Sequence, residues 1–249
     1  MAEANANFHP VAGRSVFTER TDAAFLEYRR RWVSQPETFT PGDFPLHLDV
    51  ESTGVCNLRC PFCATTTGTW GPTASGYMSM PLYHRIIDQA AEGGACAIKL
   101  SFRGEPMLHP MLPQMVRYAK QKGLLDVYFN TNATLLTVNR IERLIDAGLD
   151  RISISFEGTT KETYEAHRVG ATYDTVLQNV RNLRAIRDKL GVTRPQIRVQ
   201  AVATPAVQTD FAPYVAFWRE IADEVAYIDA REEGPTFDHR GKVSDWACP

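Results

Sequence analysis

From Leu46 onward the chain alternates short β-rich runs with longer stretches whose apolar positions recur at helical spacing. The runs LHLDVES (46–52), AIKLSF (97–102), DVYFNT (126–131), RISISF (151–156), QIRVQAVA (196–203) and EVAYIDA (224–230) predict six strands. Helices are predicted between them, near 81–92, 110–122, 137–147, 160–189 (in one or two pieces) and 208–222. Gly123, Gly148 and Gly191 fall where helix C-caps are expected. This order is the signature of βα units around a parallel sheet, and periodicity leaves two forms open, a doubly wound sheet and a partial barrel. Residues 1–45 read differently: Phe17 to Trp32 predicts a helix, and prolines at 36, 41 and 45 break it. The expected organisation is a helical lead-in (1–45) packed on the outside of the domain, a core (46–232) and a tail (233–249).

Composition narrows the function classes. A chain of 249 residues, 44% hydrophobic and 10% aromatic, can bury one sizeable core. Lys plus Arg total 27 against 29 Asp plus Glu, so no basic excess invites nucleic acid. No stretch approaches the roughly 18 apolar residues of a membrane span, and the first residues carry no leader-like apolar core. The expectation is a soluble, cytoplasmic protein with neither nucleic acid nor membrane as partner. Three of the five cysteines fall between positions 56 and 63, too tightly spaced for a disulfide framework and suited to metal.

Directly after the first predicted strand stands ESTGVCNLRCPFC, giving Cys56-x3-Cys60-x2-Cys63 on a loop. Three thiolates so spaced can converge on one face of an iron–sulfur cluster and leave one iron without a protein ligand. That vacancy can chelate the amino and carboxylate groups of a small molecule. The competing reading is a zinc site, which usually needs a fourth ligand. Cys96 begins the second strand, whereas the motif ends the first, so the two lie at opposite sheet edges about five residues apart at roughly 3.3 Å each. A small buried apolar role suits Cys96 better. His84 lies inside a helical pattern.

At these residues the chain resembles the radical S-adenosylmethionine (SAM) superfamily, whose hallmark is Cys-x3-Cys-x2-Cys after the first strand of a partial (β/α)6 TIM-like barrel. Phe62, before the last cysteine, matches the family habit. The resemblance covers about 46–230 and implies a [4Fe-4S] cluster held by Cys56, Cys60 and Cys63, with SAM as second cofactor. Phe102-Arg103-Gly104-Glu105-Pro106 resembles the Gly-Gly-Glu-Pro turn that receives the methionyl amine, with Arg103 in place of the first glycine. Phe129-Asn130-Thr131-Asn132-Ala133 resembles the Thr-Asn-Gly element, placing Asn130 and Asn132 at the cofactor. Ser153, Ser155 and, thirteen residues beyond Ser155, Arg168 match a serine and arginine that bind the methionyl carboxylate. Val202 to Thr204 fall where relatives contact the adenine. Independently of any family, all these positions follow the carboxyl ends of predicted strands, where parallel α/β domains bind ligands.

The chemistry implied is one-electron cleavage of SAM into methionine and a 5′-deoxyadenosyl radical, which abstracts hydrogen from a substrate carbon. It calls for an external reductant such as flavodoxin or ferredoxin. Glu157, Asp229, Arg231 and Glu233 follow strand ends and are candidate substrate contacts. The ending Trp246-Ala247-Cys248-Pro249 resembles the opening of the SPASM extension that holds auxiliary clusters, cut at its first ligand. SPASM-type members act on peptides, sulfatases or sugars. The short lead-in favours a small polar substrate of carbohydrate type over a peptide; the alternatives are a peptide or protein maturase and, from another class, a zinc-stabilised binding module.

Overall fold

A computed structural model describes residues 8–14, 17, 20–68, 76–208 and 211–229. Its seven strands, β1 (Phe8–Gly13), β2 (His47–Asp49), β3 (Ala97–Lys99), β4 (Asp126–Thr131), β5 (Arg151–Ser155), β6 (Gln196–Ala203) and β7 (Glu224–Asp229), form one sheet. The order is β1-β7-β6-β5-β4-β3-β2: the six predicted strands lie in sequence order and parallel, and the sheet does not close. This is the expected partial barrel. β1 was not foreseen; it pairs antiparallel with β7 along that strand's free edge. Its FHPVAG carries a proline where a register shift falls, and such a run looks like a loop from sequence.

The two-residue period of the strands explains the cross-section. Paired residues point to the same side, and the set Asp49, Lys99, Tyr128, Asn130, Ser153, Arg198 and Gln200 is polar. The alternate set, Ile98, Val127, Phe129, Ile152, Ile154, Ile197, Val199 and Val225, is fully buried. The apolar face takes the helices and the polar face lines the barrel's lumen. The flanking helices are α2 (Ala64–Thr67), α3 (Met80–Glu92), α4 (Leu112–Gln121), α5 (Val138–Asp146), α6 (Lys161–His167), α7 (Tyr173–Lys189), α8 (Pro205–Gln208) and α9 (Phe211–Trp218). Gly123, Gly148 and Gly191 adopt positive φ just past α4, α5 and α7, the expected caps. Phe156 anchors the core where β5 ends, stacked on Tyr164 at 4.1 Å and edge-on to Trp218 at 4.7 Å.

The lead-in helix α1 (Ala23–Glu37) starts at Asp22, whose carboxylate accepts the Phe25 amide, and continues past Pro36 into its last turn. It does not lie on the outside of the barrel. Phe25 and Tyr28 pack on Leu46 and Ala97 at the strand starts, so α1 covers the amino-terminal mouth. Burial of those aromatics decides the position. Among the described residues no helix is long and apolar enough to cross a membrane. The tail 233–249, with Cys248, lies outside the described residues.

Candidate cofactor site

The three cysteines sit on the loop between β2 and α2, with Cys60 buried and Cys56 and Cys63 half-buried; all are free thiols. Backbone bonds shape the loop: the Cys63 amide donates to the Cys60 carbonyl at 3.1 Å, and the Arg59 amide to Val169 at 2.9 Å. Donors surround the sulfurs. The Leu58 amide lies 3.5 Å from Cys56 Sγ, Thr65 Oγ1 2.9 Å from Cys63 Sγ, and Arg168 Nη1 3.7 Å from Cys60 Sγ. Burial pushes the Cys56 and Cys60 thiols up, and the Arg168 charge opposes that at Cys60. Three cysteine donors on one loop fit an iron–sulfur cluster, in which each thiolate binds a different iron and one iron keeps an open position. Cys96 precedes β3 at the opposite edge, half-buried against the α1 aromatics, and His84 stacks on Tyr118 at 4.0 Å.

The turn after β3 is fastened to the cysteine loop. The Glu105 amide donates to the Val55 carbonyl at 2.8 Å, and a Cβ on Gly104 would fall 2.0 Å from the Thr53 carbonyl oxygen. Glycine is required at 104 for space. Position 103 has no such need: the Arg103 and Gly104 amides both donate to Glu51 Oε1, at 2.9 and 3.3 Å, so the departure from a double glycine is accommodated. Glu105 is fully buried and accepts from the Met107 amide, Thr131 Oγ1 (2.6 Å) and the Asn132 amide (2.7 Å). Burial raises its carboxyl pKa against the pull of these donors. Its first role in this structure is to tie the β3 turn to the β4 turn.

At the end of β4, Asn132 Nδ2 donates to Asn57 Oδ1 at 3.0 Å, and Asn57 Nδ2 to Thr134 Oγ1 at 2.9 Å. Asn57, between Cys56 and Leu58, thus joins the cysteine loop to the asparagine turn. Ala133 has φ +56°, a left-handed conformation in which glycine would be unstrained, which explains the glycine of the family element. The Asn130 amide is held by Ser101 Oγ at 2.9 Å.

The two serines of β5 differ. Ser153 Oγ is committed to Gln200 Oε1 at 2.9 Å inside the lumen. Ser155, half-buried at the strand's end, makes no side-chain hydrogen bond among the described residues and is the better placed to meet a ligand. Arg168, which caps α6, forks onto Glu157: its Nε donates to Oε2, and Nη2 lies 2.5 Å from Oε1. Burial alone would depress the Arg168 pKa, but the fully buried Glu157 carboxylate outweighs it and the net shift is upward. Phe62 lies beneath, its ring centre 5.4 Å from the Arg168 guanidinium carbon and 6.0 Å from His167. The Val202 amide donates to Glu157 Oε1 at 3.3 Å, and its carbonyl accepts from Thr204 at 2.8 Å. Both main-chain groups of Val202 are therefore engaged within the protein. Asp229 pairs with His9 at 3.0 Å; Arg231 and Glu233 lie outside the described residues. Glu157 is not the expected substrate contact, because its carboxylate is spent on Arg168 and Val202.

One edge of the sheet therefore carries a single bonded assembly. A family profile described as the radical SAM superfamily matches residues 50–194. The chain belongs to the radical SAM superfamily. Its members use a [4Fe-4S] cluster and SAM. The chain is 29% identical over 185 residues to GTP 3′,8-cyclase 1 of Mycobacterium tuberculosis, covering 72% of this chain and 49% of that protein. It is 32% identical over 145 residues to PqqA peptide cyclase of Gluconobacter oxydans, covering 57% and 38% respectively. In fold it is similar to Streptococcus suis SuiB bound to S-adenosylmethionine, with TM-score 0.60, 19% identity, and coverage of 81% of this chain and 44% of that one. The radical SAM chain spans half or less of these relatives.

Proposed function

We propose that Cys56, Cys60 and Cys63 hold the [4Fe-4S] cluster and that the edge around them binds SAM for reductive cleavage, with hydrogen abstraction from a substrate carbon. The observation that carries the reading is the bonded assembly, in which the cysteine loop meets Arg168 directly and the β3 and β4 turns through Val55 and Asn57. When bound, the cluster and SAM supply a one-electron cleavage that generates an organic radical. The protein's part is placement. Glu105 and Glu51 fix the β3 turn, Asn57 and Asn132 fix the β4 turn, and Gly104 keeps the backbone bare of a side chain. Ser155 offers a hydroxyl at the same edge. Arg168 supplies positive charge beside Cys60 and would attract the carboxylate of a bound cofactor, with Glu157 holding its guanidinium in place.

The substrate occupies the lumen and is a small polar molecule, of which the carbohydrate expected from the sequence is one instance. The hydrogen-bonding wall of Asn130, Ser153 and Gln200 supports this. A peptide substrate is the second reading, favoured by the name of the Gluconobacter relative. Reduction is assigned to an external flavodoxin- or ferredoxin-type donor, and free thiols suit a reducing compartment such as the cytoplasm. Organisation as a lead-in to 45, a core to 232 and a tail from 233 is part of the same proposal. The test is anaerobic cluster reconstitution followed by dithionite and SAM. 5′-Deoxyadenosine above a Cys60→Ala control supports the reading; a four-iron sample that forms none overturns it.

A further inference from the structure

Where α1 covers the amino-terminal mouth of the barrel, a cavity of about 280 Å³ remains between the helix and the lumen. It lies at the end of the strands opposite to the cysteines, among Arg29 and Trp32 of α1, Lys99, Tyr128, Arg151 and Arg198. Three of the four cations have acids. Lys99 Nζ is 3.1 Å from Asp49, Arg151 forks onto Asp126 at 2.9 and 2.7 Å, and Arg198 Nε donates to Glu224. Arg29 differs. It is 5% exposed, no ion pair or hydrogen bond of its side chain occurs among the described residues, and its Nε is buried without a partner. Its guanidinium carbon stands 3.9 Å over the Phe17 ring, with Tyr28 at 5.4 Å and Trp32 at 5.5 Å. Rings of this kind attract a cation but satisfy none of its N–H donors.

A buried charge left unpaired is costly, and a guanidinium fork is the geometry that a planar carboxylate completes. The rest of the wall indicates what carries that carboxylate. Tyr128 lies 3.7 Å under the Arg151 guanidinium carbon and 5.8 Å from His47, whose ring Trp32 meets edge-on at 5.7 Å, so flat aromatic surface surrounds the charge. Burial depresses the His47 pKa, which leaves its ring neutral, and the Asp49 carboxylate stands nearby. A single uncompensated positive charge with an acid close by suits a monoanion better than a dianionic phosphate. We propose that this mouth is a second binding site, for a small organic carboxylate with a planar or apolar body, anchored by Arg29. The site is separate from the cofactor edge: Arg151 and Ser155 lie four residue steps apart on β5, about 13 Å at roughly 3.3 Å each.

Benzoate is the probe, titrated calorimetrically into the anaerobic, cluster-loaded chain in the presence and absence of saturating SAM. The expected result is saturable benzoate binding, unaffected by SAM, with benzamide and inorganic phosphate each weaker by about tenfold or more. Arg29→Met keeps the packed stem and removes the fork, and should lose benzoate binding to the same degree. If Arg29→Met does not fold, the benzoate-to-benzamide ratio on the unaltered chain decides together with Arg29→Lys, which keeps the charge but not the fork. Equal binding of benzoate and benzamide, no benzoate binding, or displacement of benzoate by SAM would each overturn the proposal. None of these readouts depends on turnover, so the cleavage reading stands or falls separately.

Discussion

The pair Glu157–Arg168 gives the sharpest energetic prediction. Glu157 is wholly buried, and its two oxygens take the Arg168 fork and the Val202 amide. Glu157→Gln preserves shape but leaves a buried guanidinium without its counter-charge, and breaking one partner of such a pair costs about 3–5 kcal/mol. Against a total stability of about 5–15 kcal/mol this is a large fraction, equivalent to roughly 6–20 °C in Tm for a chain of this size. Arg168→Met strands the carboxylate instead and should cost a similar amount. The double variant Glu157→Gln/Arg168→Met removes both charges, and replacing a buried pair by matched neutral groups is often close to neutral. The double variant should therefore be destabilised by far less than the sum of the singles, with a coupling of about 2 kcal/mol or more. Urea unfolding of all four proteins, anaerobically and at one pH with m-values compared, measures the cycle. A Glu157→Gln cost under about 1 kcal/mol, or additive singles, would refute the assignment of Glu157 as the group that holds Arg168.

Other sites give simpler readouts. Gly104→Ala drives a methyl into the Thr53 carbonyl at 2.0 Å, so a stability loss of about 1–3 kcal/mol and weakened SAM binding are expected by thermal shift and titration. Asn57→Ala removes its bonds to Asn132 and Thr134; about 1–2 kcal/mol of local stability should go, seen as faster amide exchange in the β4 turn with iron content unchanged. Asp126 is buried, which raises its pKa, but the Arg151 charge prevails and the net shift is downward. A depressed carboxyl stabilises the fold above its unfolded pKa near 3.9 and loses that contribution as pH falls through the folded value. The stability difference between the unaltered chain and Asp126→Asn should thus be full at neutral pH and shrink in acid unfolding; a difference independent of pH would contradict it.

Much of this arrangement was legible because it rests on local signals. DVYFNT and QIRVQAVA begin and end where β4 and β6 do, as β-rich runs set between helical stretches. The cysteine spacing and the turns after β3, β4 and β5 named the site's edge, since sidedness follows from strand direction alone. What the sequence concealed depends on long-range pairing. Asn57 reads as a loop residue until its bond to Asn132, 75 positions away, is seen, and Glu157 reads as a substrate contact until Arg168 folds over it. The polar alternation within RISIS and QIRVQ was an unused clue: strands buried on both faces read as continuous apolar runs, so alternation marks a hydrophilic lumen. Helix α1 was placed outside the barrel because its aromatic face has no visible partner until Leu46 and Ala97 come together.

The central claim, that Cys56, Cys60 and Cys63 hold a cluster that cleaves SAM, is tested most directly by one measurement. The anaerobically reconstituted chain, reduced with dithionite, is given SAM and assayed for iron, sulfide and 5′-deoxyadenosine. About four irons per chain and accumulating 5′-deoxyadenosine are expected, both lost when the three cysteines are replaced by alanine. A colourless protein that binds zinc at these cysteines, or a four-iron protein that leaves SAM intact, would contradict it.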